Sequence, residues 1–199
     1  MKESVSMLNR HASWFAATIA LLAFAAVLTL DSLHSNAADT WRGLKISPED
    51  RCVYYDKKKQ YPYPQTIEPR IVAEQGGRIY GPYSGRTFAS IDETDIEHII
   101  ATSEAHDSGL CAADAATRKR FATDLLNLTL ADPMLNQHEK KGKDAADWKP
   151  KRNECWFAAR VVQVRSKYSL TIDQREADAL ETVLSGCSST DMVFYSYPE

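Results

Sequence analysis

The stretch TDIEHIIATSEAHDSG, residues 94–109, sets Asp95, Glu97 and His98 among Ile96, Ile99 and Ile100. That density of isoleucine predicts a β-strand over residues 95–101. Two carboxylates and an imidazole on such a strand are the groups that move protons or hold a cation. Strand alternation sends the neighbours Glu97 and His98 to opposite faces. They act at one site only if the strand ends or twists there, or if a metal bridges them. The alternative is a neutral, buried His98 on a backbone partner, with Glu97 in solvent. His106 and His138 are read as structural, and Asp107 as support for a turn rather than, with Glu104, a reach into the site.

The elements that must position these groups follow from punctuation and periodicity. Residues 39–90 look rich in strands and turns. CVYYD is expected as a short strand, and RIVAEQGGRIYGPYSG as two short strands about a Gly76-Gly77 turn. AADAATRKRFATDLL has helical composition with Asp114 in its first turn, and Leu125–Leu130 is strand-like. Asp132 and Pro133 form an N-cap and a first helical position, with Gly142 ending that helix. Residues 95–142 therefore read as strand, long excursion, strand, helix. Near the C-terminus, Phe157, Val161 and Val164 mark one helix. Asp173 and Glu176 start a second, with Ala177, Leu180, Val183 and Leu184 on its apolar face. The tail SSTDMVFYSYPE reads as a short strand or a loose end.

Trp14–Leu30 is an uncharged apolar run behind Lys2 and Arg10, followed by Ser35 and Ala37 at cleavage-site spacing. This is the pattern of an export signal over residues 1–37, with an uncleaved membrane anchor as the alternative. Residues 38–199 then form one domain of ordinary size outside the cytoplasm. The net charge is −3, so binding of a polyanion must rest on local positive charge. Four cysteines in an exported chain predict two disulfides, with three possible pairings, and the absence of CxxC argues against a zinc knuckle. If the two C-terminal helices run antiparallel, Cys155 meets Cys187, leaving Cys52 for Cys111.

With these pieces in order, DIEHII and NLTLADPMLNQHEKKGKDAADW resemble the HNH, or ββα-metal, endonucleases, in particular their small exported bacterial members. GRIYGPYSGRTF and the closing hairpin are similar to the flanks of that family, so the resemblance covers roughly residues 50–187. It implies an α+β fold: a ββα-metal nuclease core with a strand-rich N-terminal part, a C-terminal helical hairpin and two disulfides. By the same resemblance His98 is the general base, Asn127 pins the loop, and Glu97 and Asn136 hold the metal.

Several family members carry a further ligand one turn after the helix ligand, where this chain has Lys140. Glu97 and Asn136, with Asp132 as a possible addition, are hard oxygen donors suited to Mg²⁺ or Mn²⁺. Neutral His98 would take a proton from water while the cation stabilises the departing 3′ oxygen. Lys140, Lys141 and Lys143 begin a cationic stretch on the metal helix that is expected to track a nucleic-acid backbone, the alternative being a solvated charged face. Arg160 and Arg165 are candidates for phosphate contacts, with helix-surface residues as the favoured alternative. Trp148 and Trp156 are expected in the core, and Arg118, Lys119 and Arg120 on the wet side of a helix.

The resulting expectation is an exported endonuclease that cleaves DNA, with RNA possible, at low sequence specificity. It needs one divalent cation and no stable protein partner, and meets a membrane only if the leader is retained. The rival expectation is an inactive, disulfide-stapled binding or inhibitor module on the same fold.

Overall fold

The computed structural model describes residues 40–196; the export-signal reading and its cleavage boundary lie outside them. The fold is α+β, with three separate antiparallel strand pairs among helices. Strands β1 (Thr40–Trp41) and β2 (Leu44–Lys45) form a hairpin. Its turn residues Arg42 and Gly43 both take positive φ, as a tight two-residue hairpin turn requires. An isolated parallel bridge, Ile46 to Ile172, ties this hairpin to the loop between the last two helices.

Residues 52–56 do not form the expected strand. Helix α1 (Lys57–Gln60) follows them, and Tyr55 instead bonds Thr102 at 2.6 Å. Segment RIVAEQ is also not a strand, because Glu68–Glu74 is helix α2. Pro69 suits a first helical turn, and Ile67 and Ile71 bury one face at helical spacing. Gly76 and Gly77, both at positive φ, release the chain from this helix instead of turning a hairpin. The hairpin comes later, as β3 (Tyr80–Gly81) and β4 (Arg86–Thr87).

Strand β5 (Asp95–His98) pairs with β6 (Leu128–Ala131) in the register Asp95–Ala131, Ile96–Leu130, Glu97–Thr129 and His98–Leu128. Between them lie helices α3 (Thr102–Asp107) and α4 (Ala115–Ala122), the latter capped by Asp114, whose carboxylate accepts from Thr117 N. After β6 the chain turns helical at 133–134 and widens into a π-helix, π1 (Leu135–Lys140). Asp132 accepts from Met134 N at 2.9 Å. The reversal after π1 falls on Lys141, at φ +53°, one residue before Gly142.

Helices α5 (Glu154–Tyr168) and α6 (Gln174–Leu184) make the C-terminal hairpin. Disulfides join Cys155 to Cys187 and Cys52 to Cys111. The main core gathers Ile99, Ile100, Phe121, Trp156, Phe157, Val161, Val164 and Leu180. A smaller cluster, Ile67, Ile71, Ile96, Leu128 and Leu130, seats α2 on the β5–β6 pair. Trp148 packs edge-on against Tyr83 and Phe157. No helix among the described residues is long and apolar enough to cross a membrane.

Candidate active site

Glu97 and His98 are both buried, at 4% and 5% exposure. The register puts Ile96 and His98 on one face of β5 and Glu97 on the other. Because β5 ends at His98, both side chains reach one cavity of about 370 Å³. Asn136, Gln137 and Lys141 line it from π1 and its end, and Tyr55 and Lys57 from the N-terminal side.

His98 Nε2 lies 3.0 Å from the Ala122 carbonyl, which can only accept, so Nε2 carries the proton and Nδ1 is bare in the neutral ring. Burial drives the pKa of His98 down to about 3, against the pull of that carbonyl. The ring is therefore a free base at neutral pH. Tyr63 packs against it edge-on, 5.0 Å between centroids.

Burial raises the pKa of Glu97, with Lys140 opposing. Lys140 Nζ is 2.7 Å from Glu97 Oε1 and donates to the His98 carbonyl at 3.1 Å. Glu97 Oε1 has no hydrogen-bond partner of good geometry, so its contact with Lys140 is an ion pair at an unfavourable angle. Lys140 is wholly buried, which corrects the expectation that it lies on a surface tracking nucleic acid. The wide π turn brings it inward beneath β5.

Asn127, also wholly buried, accepts from Ile100 N at 2.8 Å and donates to Ile100 O at 3.1 Å. It fixes the backbone two residues past His98. Asn136 Nδ2 donates to Asp95 at 3.0 Å, and Gln137 donates to the same oxygen at 2.9 Å. Asp95 therefore orients π1 over the cavity. Asp132 is taken up by Met134 N and by Arg86, at 2.6 Å.

The fit for a divalent cation rests on Glu97 Oε1, an anionic oxygen short of hydrogen bonds in a cavity shared with the Asn136 amide. These are hard donors of the right kind, provided Lys140 yields or shares Glu97. A second carboxylate group, Glu49, Asp144 and Asp173, has ligand atoms within 4.8 Å of one another. Asp144 and Asp173 already cap local backbone amides, and Arg175 pairs with Asp144 at 3.0 Å. Sequence reasoning missed this group because its members come from three distant segments.

Other expected contacts scatter. Lys141 and Lys143 are exposed, and Lys141 lines the cavity. Arg160 is half-buried on α5 beside Trp156, 5.9 Å from the ring centroid. Arg165 is wholly buried between Glu104 and Glu176, so it cannot meet phosphate. Asp107 pairs with Arg51 at 2.5 Å and accepts from Asp50 N through its carbonyl. His106 is held by Tyr61 and the Val53 carbonyl, 2.9 Å each.

A strand pair, a helical turn after it and a histidine at the strand's end define a site built on short elements rather than on a large sheet. The family model that matches is that of the GmrSD restriction endonucleases, C-terminal domain, over residues 37–183, and the chain belongs to this family. An "Uncharacterized secreted protein" of Arthroderma benhamiae is 30% identical over 118 residues. That match covers 58% of this chain and 58% of that protein. No solved structure matches the chain.

Proposed function

We propose that the chain is an exported, metal-dependent endonuclease of the HNH type that hydrolyses DNA phosphodiesters with low sequence specificity. The observation that carries this reading is the orientation of His98: Nε2 is committed to Ala122 O, leaving Nδ1 as the free base of a ring that shares its cavity with Glu97 and Asn136. His98 accepts the proton of the attacking water, in the protonation state that general-base catalysis needs. Glu97 and Asn136 would hold a divalent cation, Mg²⁺ or Mn²⁺, whose charge offsets the negative charge developing on the departing oxygen. Asn127 keeps the loop after His98 in register, and Lys57 and Lys141 add positive charge at the cavity mouth. RNA remains an admissible substrate, because an external water needs no 2′-hydroxyl.

Family membership supports the nuclease class, and the secreted relative and two disulfides support export. On this reading residues 1–37 are the export signal and residues 38–199 the nuclease domain. The decisive experiment incubates oxidised protein beginning at Ala38 with supercoiled plasmid and Mg²⁺ or Mn²⁺, beside an EDTA lane and His98→Ala. Nicking that needs the metal and His98 is expected; no nicking by folded, metal-supplied protein overturns the proposal.

One observation favours a second reading, an inactive binding module. Lys140 already neutralises Glu97 at 2.7 Å, as an internal cation would in a site that no longer takes a metal. Folded wild-type protein that neither binds Mn²⁺ nor nicks plasmid would establish it.

A further inference from the structure

The family match ends at residue 183, yet the segment beyond α6 is built into the fold. Tyr80 Oη donates to Val193 O at 2.8 Å, and Asn153 brackets the same residue. Asn153 Nδ2 donates to Val193 O at 3.1 Å, and Asn153 Oδ1 accepts from Val193 N at 2.7 Å. Asn153 is buried at φ +54°, a conformation that asparagine tolerates better than most residues. This clamp fixes the two aromatic rings that follow it.

Each ring seats an arginine. Arg78 lies over Phe194 at 4.6 Å from the centroid, and Arg152 over Tyr195 at 4.8 Å. Arg86 sits over Phe88 in the same way, at 4.8 Å, while pairing with Asp132. A Cβ on Gly85 would come within 3.1 Å of Tyr195 and 3.3 Å of Arg152, so the hairpin turn is cut back to admit the stack. Among the described residues, neither Arg78 nor Arg152 has a carboxylate partner.

Two open cavities, of about 930 and 890 Å³, meet at Ser84 on the β3–β4 hairpin. Lys149, Lys151 and Arg152 line the first, Arg78 and Arg86 the second. The carboxylates on their walls are Asp132, Glu139 and Asp147; Arg86 pairs with the first and Arg175 with the last. Met134 and Leu135 also line the first cavity, whereas Asn136 and Gln137, next along the chain, line the candidate active site. The cationic groove thus flanks the same helical segment that closes the site.

We infer that the C-terminal segment, residues 191–196, completes a surface for a nucleic-acid backbone, with Arg78, Arg86, Lys149, Lys151 and Arg152 meeting its phosphates. Guanidinium groups held over aromatic rings keep their donors pre-organised for phosphate oxygens. This cluster supplies the local positive charge that a chain of net charge −3 needs. The inference rests on the nuclease reading for the identity of its ligand.

The test measures binding of a fluorescein-labelled DNA duplex by anisotropy across a KCl series, in EDTA, on the non-cleaving His98→Ala background. Arg78→Gln/Arg152→Gln is expected to lower affinity about tenfold or more and to reduce the magnitude of the log–log salt slope by about 2, one for each lost phosphate contact. Phe194→Ala/Tyr195→Ala keeps the charges and should weaken affinity with the slope retained. Lys119→Gln/Arg120→Gln on α4 should change neither. Unchanged affinity and slope in the double arginine variant, with wild-type unfolding temperature, overturn the inference. The nuclease reading fails separately: wild-type protein that binds the duplex through these arginines but never nicks plasmid leaves the surface standing, and undiminished nicking by Arg78→Gln/Arg152→Gln removes the surface and leaves the nuclease.

Discussion

Lys140 and Glu97 form a buried ion pair, 2.7 Å apart, beneath the strand that carries His98. Removing one partner strands the other in a medium that solvates it poorly. Lys140→Met is expected to destabilise the fold by about 3–5 kcal/mol, while Lys140→Met/Glu97→Leu should recover most of that loss. Urea unfolding of the two variants decides it; a single variant within about 1 kcal/mol of wild type would mean that the pair is dispensable.

Asn127 bonds both backbone groups of Ile100. Asn127→Ala leaves a buried N–H and C=O without partners, at a cost of about 2–3 kcal/mol. If the loop orients His98, plasmid nicking should fall far more than the folded fraction does. Loss of nicking in simple proportion to unfolded protein would confine Asn127 to stability.

Arg165 faces two carboxylates, Glu104 and Glu176, and all three side chains are buried. Burial pushes the Glu176 carboxyl up to about 7, despite the pull of Arg165. The folded state therefore holds a proton that the unfolded state releases above its ordinary value of 4.5. This contribution to stability is full below that value and is lost as pH rises through about 7, totalling on the order of 3 kcal/mol. Glu176→Gln should flatten the stability–pH curve in that window. An unaltered slope in chemical denaturation would assign the proton elsewhere.

The Cys155–Cys187 bridge spans 32 residues of sequence and closes the α5–α6 hairpin. Replacing both cysteines by alanine should cost about 2–5 kcal/mol. Thermal unfolding of that variant beside wild type measures it, and an unchanged midpoint would show that helix packing alone holds the hairpin.

Local rules made much of this protein legible from its sequence. The C-terminal hairpin follows from the spacing of Phe157, Val161, Val164, Ala177 and Leu180, and its antiparallel course places Cys155 beside Cys187. The Asp173 cap follows from residue type, since a short acidic side chain reaches an unpaired amide at a helix start, and Asp114, expected within a first turn, takes the same capping position one residue before its helix. Segment 70–75 reads as a strand because Ile71 and Val72 have strand character, whereas Pro69 in the first turn and packing against β6 favour the helix.

Sequence by itself therefore determined the helix over residues 115–122, the C-terminal helix pair and the presence of Glu97 and His98 on one short strand, and it fixed the cysteine pairing only once that pair is taken as antiparallel. Tertiary structure decided what those two residues meet. Lys140 reads as a surface lysine beside Lys141, and only the π turn, which rotates one from the other, buries it on Glu97. Likewise Arg78, Phe194 and Tyr195 are unremarkable apart in the chain and join Arg152, the end of the cationic stretch, in one surface only where Asn153 and Tyr80 draw the tail across the hairpin. Patterns of period two or near four report local geometry, whereas charge pairing across 40 or more residues depends on how those elements pack.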